Sequence, residues 1–354
     1  MERRNLGGTG LSTTVLGFGS AALGNRFRVL DDTHCTAVVD DAWERGVRFF
    51  DTAPMYGHGL AEARLGTALR GRPRDEYLLS TKVGRLLRPD AHPAHDSDMW
   101  VDVPPMRVEY DYTYDGALRS IDDSLQRMLT DRIDVVFIHD CDRYGHGANQ
   151  PAVFEQAMSG AATALIELRE QGVVGAIGLG VNESDVCVEA ARRADFDVFL
   201  LAGRYTLLEQ GALDDLLPLC DERRISVILG GVFNSGILAS GVVAGAHHNY
   251  GVPAPAVVER VARIEAVCRR HDASLAAVAI QFVMAHPAVA SAFIGASSTR
   301  QQVANIAAAH DDVPDDLWID LRSEGLIRPD APCPSGRSRA QRATAPTTSR
   351  SSPS

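Results

Sequence analysis

The chain has 354 residues, 45% hydrophobic and 23% charged, enough to close a full globular core. Its formal net charge of −11 argues against nucleic acid or an anionic membrane surface as partner, since both require basic patches. Six cysteines (Cys35, Cys141, Cys187, Cys220, Cys268 and Cys333) lack CxxC spacing, and neither a signal peptide nor a membrane-spanning apolar run is present, so a cytoplasmic protein is expected.

Along the chain, apolar β-branched runs alternate with helical patterns. Strands are predicted over 15–19, 48–51, 77–82, 133–139, 176–180, 198–201, 226–229 and 292–294. Helices are predicted near 33–45, 60–70, 115–129, 151–171, 183–193, 212–223, 256–270 with 274–285, and 299–308. Most of the strands are continuous apolar runs without polar alternation, the pattern of burial on both faces. Eight strands each followed by a helix predict a (β/α)₈ TIM barrel, a fold of about 250 residues before insertions. A doubly wound sheet would instead place a glycine-rich turn directly after the first strand, and GFGSAALGN lacks that spacing. Two long insertions, 85–112 and 233–255, fall in loops after strands, where barrels carry their chemistry. Residues 1–330 are expected to form the barrel domain. The Pro-, Ser- and Arg-rich stretch 331–354 is expected to be a disordered tail.

Three strand ends carry polar residues in a run of apolar ones. RFFDTAPMY supplies Asp51 and Tyr56, LLSTKVG supplies Lys82, and DVVFIHD supplies His139. A free phenol has a pKa of about 10, and a nearby ammonium is expected to lower it, making Tyr56 a general acid–base. A buried Lys82 would then need Asp51 as counter-charge, and His139 would hydrogen-bond a substrate oxygen. Taken singly, a tyrosine past a strand packs a loop and a strand-end histidine is structural. Four such residues at consistent strand ends point to one reaction centre.

FFDTAPMYG, LLSTKVG and DVVFIHD resemble, in order and spacing, the catalytic segments of the aldo-keto reductase family, and the likeness runs from about Arg3 to Pro334. It implies a catalytic tetrad of Asp51, Tyr56, Lys82 and His139 and a nicotinamide dinucleotide across the barrel mouth. It also implies that Asn182 in GLGVNES holds the carboxamide, and that Gly231, Phe233 and Ser235 in GGVFNSGIL lie over the pyrophosphate. Gly295, Ala296, Ser297, Gln301 and Asn305 in FIGASSTRQQVANI correspond to the adenosine site. Two positions depart from the family pattern. Ala202 stands where a glutamine accompanies the asparagine, and Gly230 where a tyrosine stacks on the nicotinamide.

Within the family, DYTYDGALRSIDDSLQRM, LLAGRYTLLEQ, GGVFNSGIL and LWIDLRSEGLI are most similar to the aldose 1-dehydrogenase branch. That branch includes L-fucose, D-arabinose and L-galactose dehydrogenases and pyridoxal 4-dehydrogenase. The resemblance implies oxidation of a cyclic hemiacetal to a lactone, with Trp100, Tyr56 and His139 facing the substrate and His146, His247, His248 and Tyr250 as further candidates. Arg300 is the one basic residue within 295–305, so NAD is expected, with NADP as the alternative. Two other functions fit the same fold: reduction of aldehydes or ketones by NADPH, and a nucleotide-binding regulatory subunit. A metal held by His139, Asp140, Cys141, Asp142 and His146 is disfavoured, because successive residues point in alternate directions. Cys141 reads as a buried small hydrophobe rather than a redox switch. The expected partner is a small molecule, in a monomer or small homo-oligomer.

Overall fold

The computed structural model describes residues 1–91, 99–249 and 251–334. The strands among them are β1 (Arg3–Asn5), β2 (Ser12–Thr14), β3 (Leu16–Gly19), β4 (Phe49–Asp51), β5 (Leu78–Val83), β6 (Arg85–Pro89), β7 (Met106–Tyr110), β8 (Val135–His139), β9 (Ala176–Val181), β10 (Val198–Ala202), β11 (Ser226–Gly230) and β12 (Val289–Gly295). β3, β4, β5, β8, β9, β10, β11 and β12 pair in parallel in that order. β12 then closes back on β3 with Ala292 opposite Leu16 and Gly295 opposite Gly19. This is the closed (β/α)₈ barrel read from the sequence.

Strand pleating sorts the apolar residues into two cores. Phe49, Leu78, Val135, Phe137, Val198, Leu200, Ile228 and Phe293 point into the barrel, with Leu6 packed against them. Their strand neighbours Phe50, Leu79, Val136, Phe199, Leu201, Val227 and Leu229 point outward into the layer shared with the helices. Burying both sets is why these strands show no polar alternation. Inside the barrel, Phe49 and Phe293 meet edge to face with centroids 4.8 Å apart. Each such side chain contributes roughly 1.5–3 kcal/mol by leaving water.

Several elements differ from the sequence reading, beginning with the β1–β2 pair ahead of the barrel. The insertion after β5 is not a plain loop, because β6 and β7 form an antiparallel hairpin with Arg85 opposite Tyr110. A helix over Asp315–Ser323 buries Leu317, Trp318 and Leu321. At nine residues it is too short for its apolar spacing to stand out in the sequence. Past residue 330, Ala331 is buried and its carbonyl accepts from Arg322 at 2.8 Å, so described structure continues to Pro334. Residues 335–354 of the expected tail lie outside the described residues. Among the described residues no helix is long and apolar enough to cross a membrane, and all six cysteines are free thiols.

Candidate active site at the barrel mouth

Pleat parity carries the polar strand ends to one place. Asp51 lies two residues past inward-facing Phe49, Lys82 four past inward Leu78, and His139 two past inward Phe137. All three therefore continue the interior face at its carboxyl end, where barrel enzymes place their chemistry. Lys82 Nζ donates to Asp51 Oδ2 at 2.7 Å and to the Thr52 carbonyl at 2.8 Å, and Ser80 Oγ donates to Asp51 Oδ1 at 2.8 Å. Lys82 Nζ also lies 4.8 Å from the Tyr56 ring centroid. The Tyr56 ring stands edge-on to His139 and tilted to Trp100, each with centroids 6.1 Å away.

Tyr56 is not on a strand, and glycines fix its loop. Gly57 has φ +61°, and a Cβ there would lie 2.4 Å from the Gly24 carbonyl oxygen; a Cβ on Gly24 would in turn meet the Tyr56 backbone at 2.7 Å. Only two residues without side chains let the Tyr56 turn and the Ser20–Gly24 turn touch backbone to backbone.

Burial alone would strip the proton from Lys82, but Asp51 and the phenol outweigh it and hold its pKa above the ordinary value. The expectation for Tyr56 is corrected. Burial pushes its pKa up, and the Lys82 ammonium opposes this without overcoming it. At neutral pH the phenol keeps its proton. His139 is pushed well below the ordinary imidazole range, by burial first and then by Arg85 and Lys82, so it is neutral.

Arg85 is a member of this cluster that sequence reasoning did not single out, and Asp140, weighed there only as a metal ligand, is its ion-pair partner. Arg85 follows Lys82 by three residues, across Gly84 at φ +104°, where any side chain would strike the Tyr112 ring at 2.4 Å. Its side chain is 4% exposed and donates from Nη2 to Asp140 Oδ2 at 2.8 Å. A charged residue just past a strand end was the available signal, but solvated arginines look identical in sequence.

The expected cofactor residues fall into two groups. Asn182, Gly231 and Ser235 line one slot together with Tyr144, Ala202, Gly203, Arg204, Asn234 and Asn249. Ala202 and Gly230, the two departures from the family pattern, are direct cross-strand neighbours, and Ala202 lines the slot. Asn182 donates from Nδ2 to Asp140 Oδ1 at 3.0 Å, and its Oδ1 accepts no hydrogen bond among the described residues. That free acceptor suits a carboxamide NH₂, so the site fits a nicotinamide. Phe233 lies in the same turn, but its ring packs against the outer core.

The second group surrounds Ser297. Gln301 Oε1 accepts from both the N–H and Oγ of Ser297 at 2.9 Å, and Asn305 Nδ2 approaches the Gly295 carbonyl at 3.5 Å. Ala296 is buried. Arg300 is the one basic residue within 295–305, but chain closure brings two more basic groups to Ser297 from outside that stretch. Arg28 Nη2 donates to Ser297 Oγ at 2.8 Å, and His34 Nε2 lies 2.8 Å from the Ser297 carbonyl. A separation of 269 residues hid Arg28 from a local reading.

Trp100 is 7% exposed, and its indole Nε1 has no hydrogen-bond partner among the described residues. His146 Nε2 lies 2.9 Å from the Tyr112 hydroxyl. His247 is exposed, His248 sits 3.6 Å from Glu209, and Tyr250 is outside the described residues. In the weighed metal set, Asp140 engages Arg85, and Asp142 accepts from the Gly145 and Asn182 amides. Burial pushes the Cys141 thiol far up.

The profile of the aldo/keto reductase family matches residues 15–323. The chain belongs to that family. It is an oxidoreductase by that membership and by its named relatives. It is 42% identical over 323 residues to D-threo-aldose 1-dehydrogenase of Pseudomonas sp, covering 90% of this chain and 96% of the relative. It is 40% identical over 337 residues to pyridoxal 4-dehydrogenase of Microbacterium luteolum, covering 92% and 98%. Among solved structures, the aldo-keto reductase AKR11C1 from Bacillus halodurans, in its holo form, superposes with a TM-score of 0.69 at 26% identity. That superposition covers 93% of this chain and 97% of the other. Sequence similarity therefore groups this aldo-keto reductase with aldose and pyridoxal dehydrogenases, and the superposition agrees with the family.

Proposed function

We propose that this aldo-keto reductase oxidises the anomeric hydroxyl of an aldose, or a similar cyclic hemiacetal, to a lactone, with NAD as cofactor. The observation that carries the reading is the buried Lys82–Asp51 pair beneath a phenol and a neutral imidazole, in a chain about 40% identical to two dehydrogenases of that substrate class. A nicotinamide dinucleotide bound along the Asn182 slot would supply the acceptor for the hydride leaving the anomeric carbon. Tyr56 receives the hydroxyl proton in its phenolate form, having first released its own proton to solvent. Because burial holds that phenol protonated, the Lys82 ammonium is what keeps its basic form within reach. His139 donates to the substrate oxygen and orients the C–H bond. The Trp100 ring, with its centroid 6.1 Å from that of Tyr56, supplies an apolar face beside the reacting hydroxyl.

NAD is preferred because, among the described residues, Arg28 is the one guanidinium hydrogen-bonded to the Ser297 segment and it already donates to Ser297, whereas a 2′-phosphate calls for converging cations. A second reading has a specific observation in its favour. A phenol that keeps its proton at neutral pH is poised to donate, as reduction of an aldehyde by NADPH would require. Steady-state assays with NAD⁺ and L-fucose, D-arabinose, L-galactose or pyridoxal separate the two. NADH formation with at least one of them is expected. Its absence, together with NADPH-dependent reduction of simple aldehydes, would overturn the dehydrogenase reading.

A further inference from the structure

Arg85 is buried, lies outside the expected tetrad, and reaches the ring of His139. Its Nη1 is 3.3 Å from His139 Nδ1, while its Nη2 holds Asp140 Oδ2 at 2.8 Å. The same Asp140 oxygen lies 3.4 Å from His139 Nε2. A guanidinium is a donor only, so Nδ1 must face it as an acceptor, and the ring proton of a neutral imidazole then sits on Nε2. The charges agree with the hydrogen bonding, because the cation lies on the Nδ1 side and the carboxylate on the Nε2 side.

The pair is built into its place. Asp140 occupies a left-handed conformation, φ +45°, in which its N–H donates to the Gly180 carbonyl at 2.8 Å. Tyr112 donates to the His139 carbonyl at 2.7 Å and holds this turn from the other side. The remaining Asp140 oxygen accepts from Asn182 Nδ2, so one carboxylate bridges the imidazole side of the mouth and the slot assigned to the carboxamide.

We propose that the Arg85–Asp140 ion pair is a positioning device that fixes His139 in its Nε2–H tautomer and, through Asp140, orients Asn182. In the wrong tautomer His139 would present a lone pair to the substrate oxygen and repel it. The proposal rests on the reading of His139 as the group facing the substrate oxygen, and its primary readout does not depend on turnover.

The test uses the full chain labelled with ¹⁵N-histidine, the His139 signals being assigned by their loss in His139→Gln. In the wild type, Nδ1 is expected bare and Nε2 protonated. Arg85→Met strands Asp140 and can compromise folding, so Arg85→Met/Asp140→Asn, which removes both charges together, is the decisive variant. A shift of His139 to a mixture of tautomers is expected, with kcat for the turned-over aldose falling by about a hundredfold and its KM little changed. An unchanged tautomer in the double variant would overturn the proposal whatever its kcat, and so would a changed tautomer with wild-type kcat. If the wild type turns over no aldose, the functional reading fails by itself and the tautomer alone decides this one.

Discussion

Replacing Lys82 by methionine deletes one charge at almost constant bulk, and the structure sets both consequences. Among the described residues Asp51 loses its 2.7 Å partner and keeps only the Ser80 hydroxyl, while the Thr52 carbonyl loses its 2.8 Å donor. Breaking one side of a buried ion pair costs about 3–5 kcal/mol. Asp51 limits the damage by taking a proton, since burial already pushes its carboxyl up. In the reaction, Tyr56 loses the group that chiefly opposes its burial, so its basic form becomes scarcer still. Loss of acid–base assistance is expected to reduce kcat/KM by about 10²–10⁴-fold, or about 2.7–5.4 kcal/mol of barrier. Thermal melts and steady-state oxidation of the turned-over aldose measure the two effects separately. In Asp51→Asn/Lys82→Met the melting temperature should recover towards wild type, because no buried charge is stranded, while turnover should not. A folded Lys82→Met enzyme retaining more than about a tenth of wild-type kcat/KM would refute the assigned role of the ammonium.

Two further outcomes follow from the geometry. Because burial holds the Tyr56 phenol above its ordinary pKa, its basic form grows with pH across the alkaline range. Oxidative kcat/KM should therefore climb with pH up to the folded-state pKa, while the reductive rate stays level and then falls there; an oxidative optimum on the acid side would contradict this. Arg28→Ala removes the guanidinium beside Ser297. It should weaken residual NADP⁺ use by about tenfold and leave KM for NAD⁺ nearly unchanged, and equal losses with both cofactors in a two-cofactor titration would show that Arg28 does not discriminate.

Sequence order alone was enough for the barrel and for the convergence of Asp51, Lys82 and His139, because both rest on local periodicity. An apolar strand buried on two faces reads as an unbroken run, and a polar residue an even number of places past an inward one must share its face. Tyr56 was legible by its neighbouring motif, but its pKa was not. The proximity of an ammonium suggested a lowered value, and only the degree of burial decided that desolvation prevails. Arg85 and Arg28 escaped notice because an arginine's partners, unlike its identity, are set by chain closure. Asp140 lies 55 residues from Arg85, and Ser297 lies 269 from Arg28. Periodic patterning is a property of neighbours along the chain, whereas desolvation and ion pairing depend on which distant segments the closed barrel brings to one mouth.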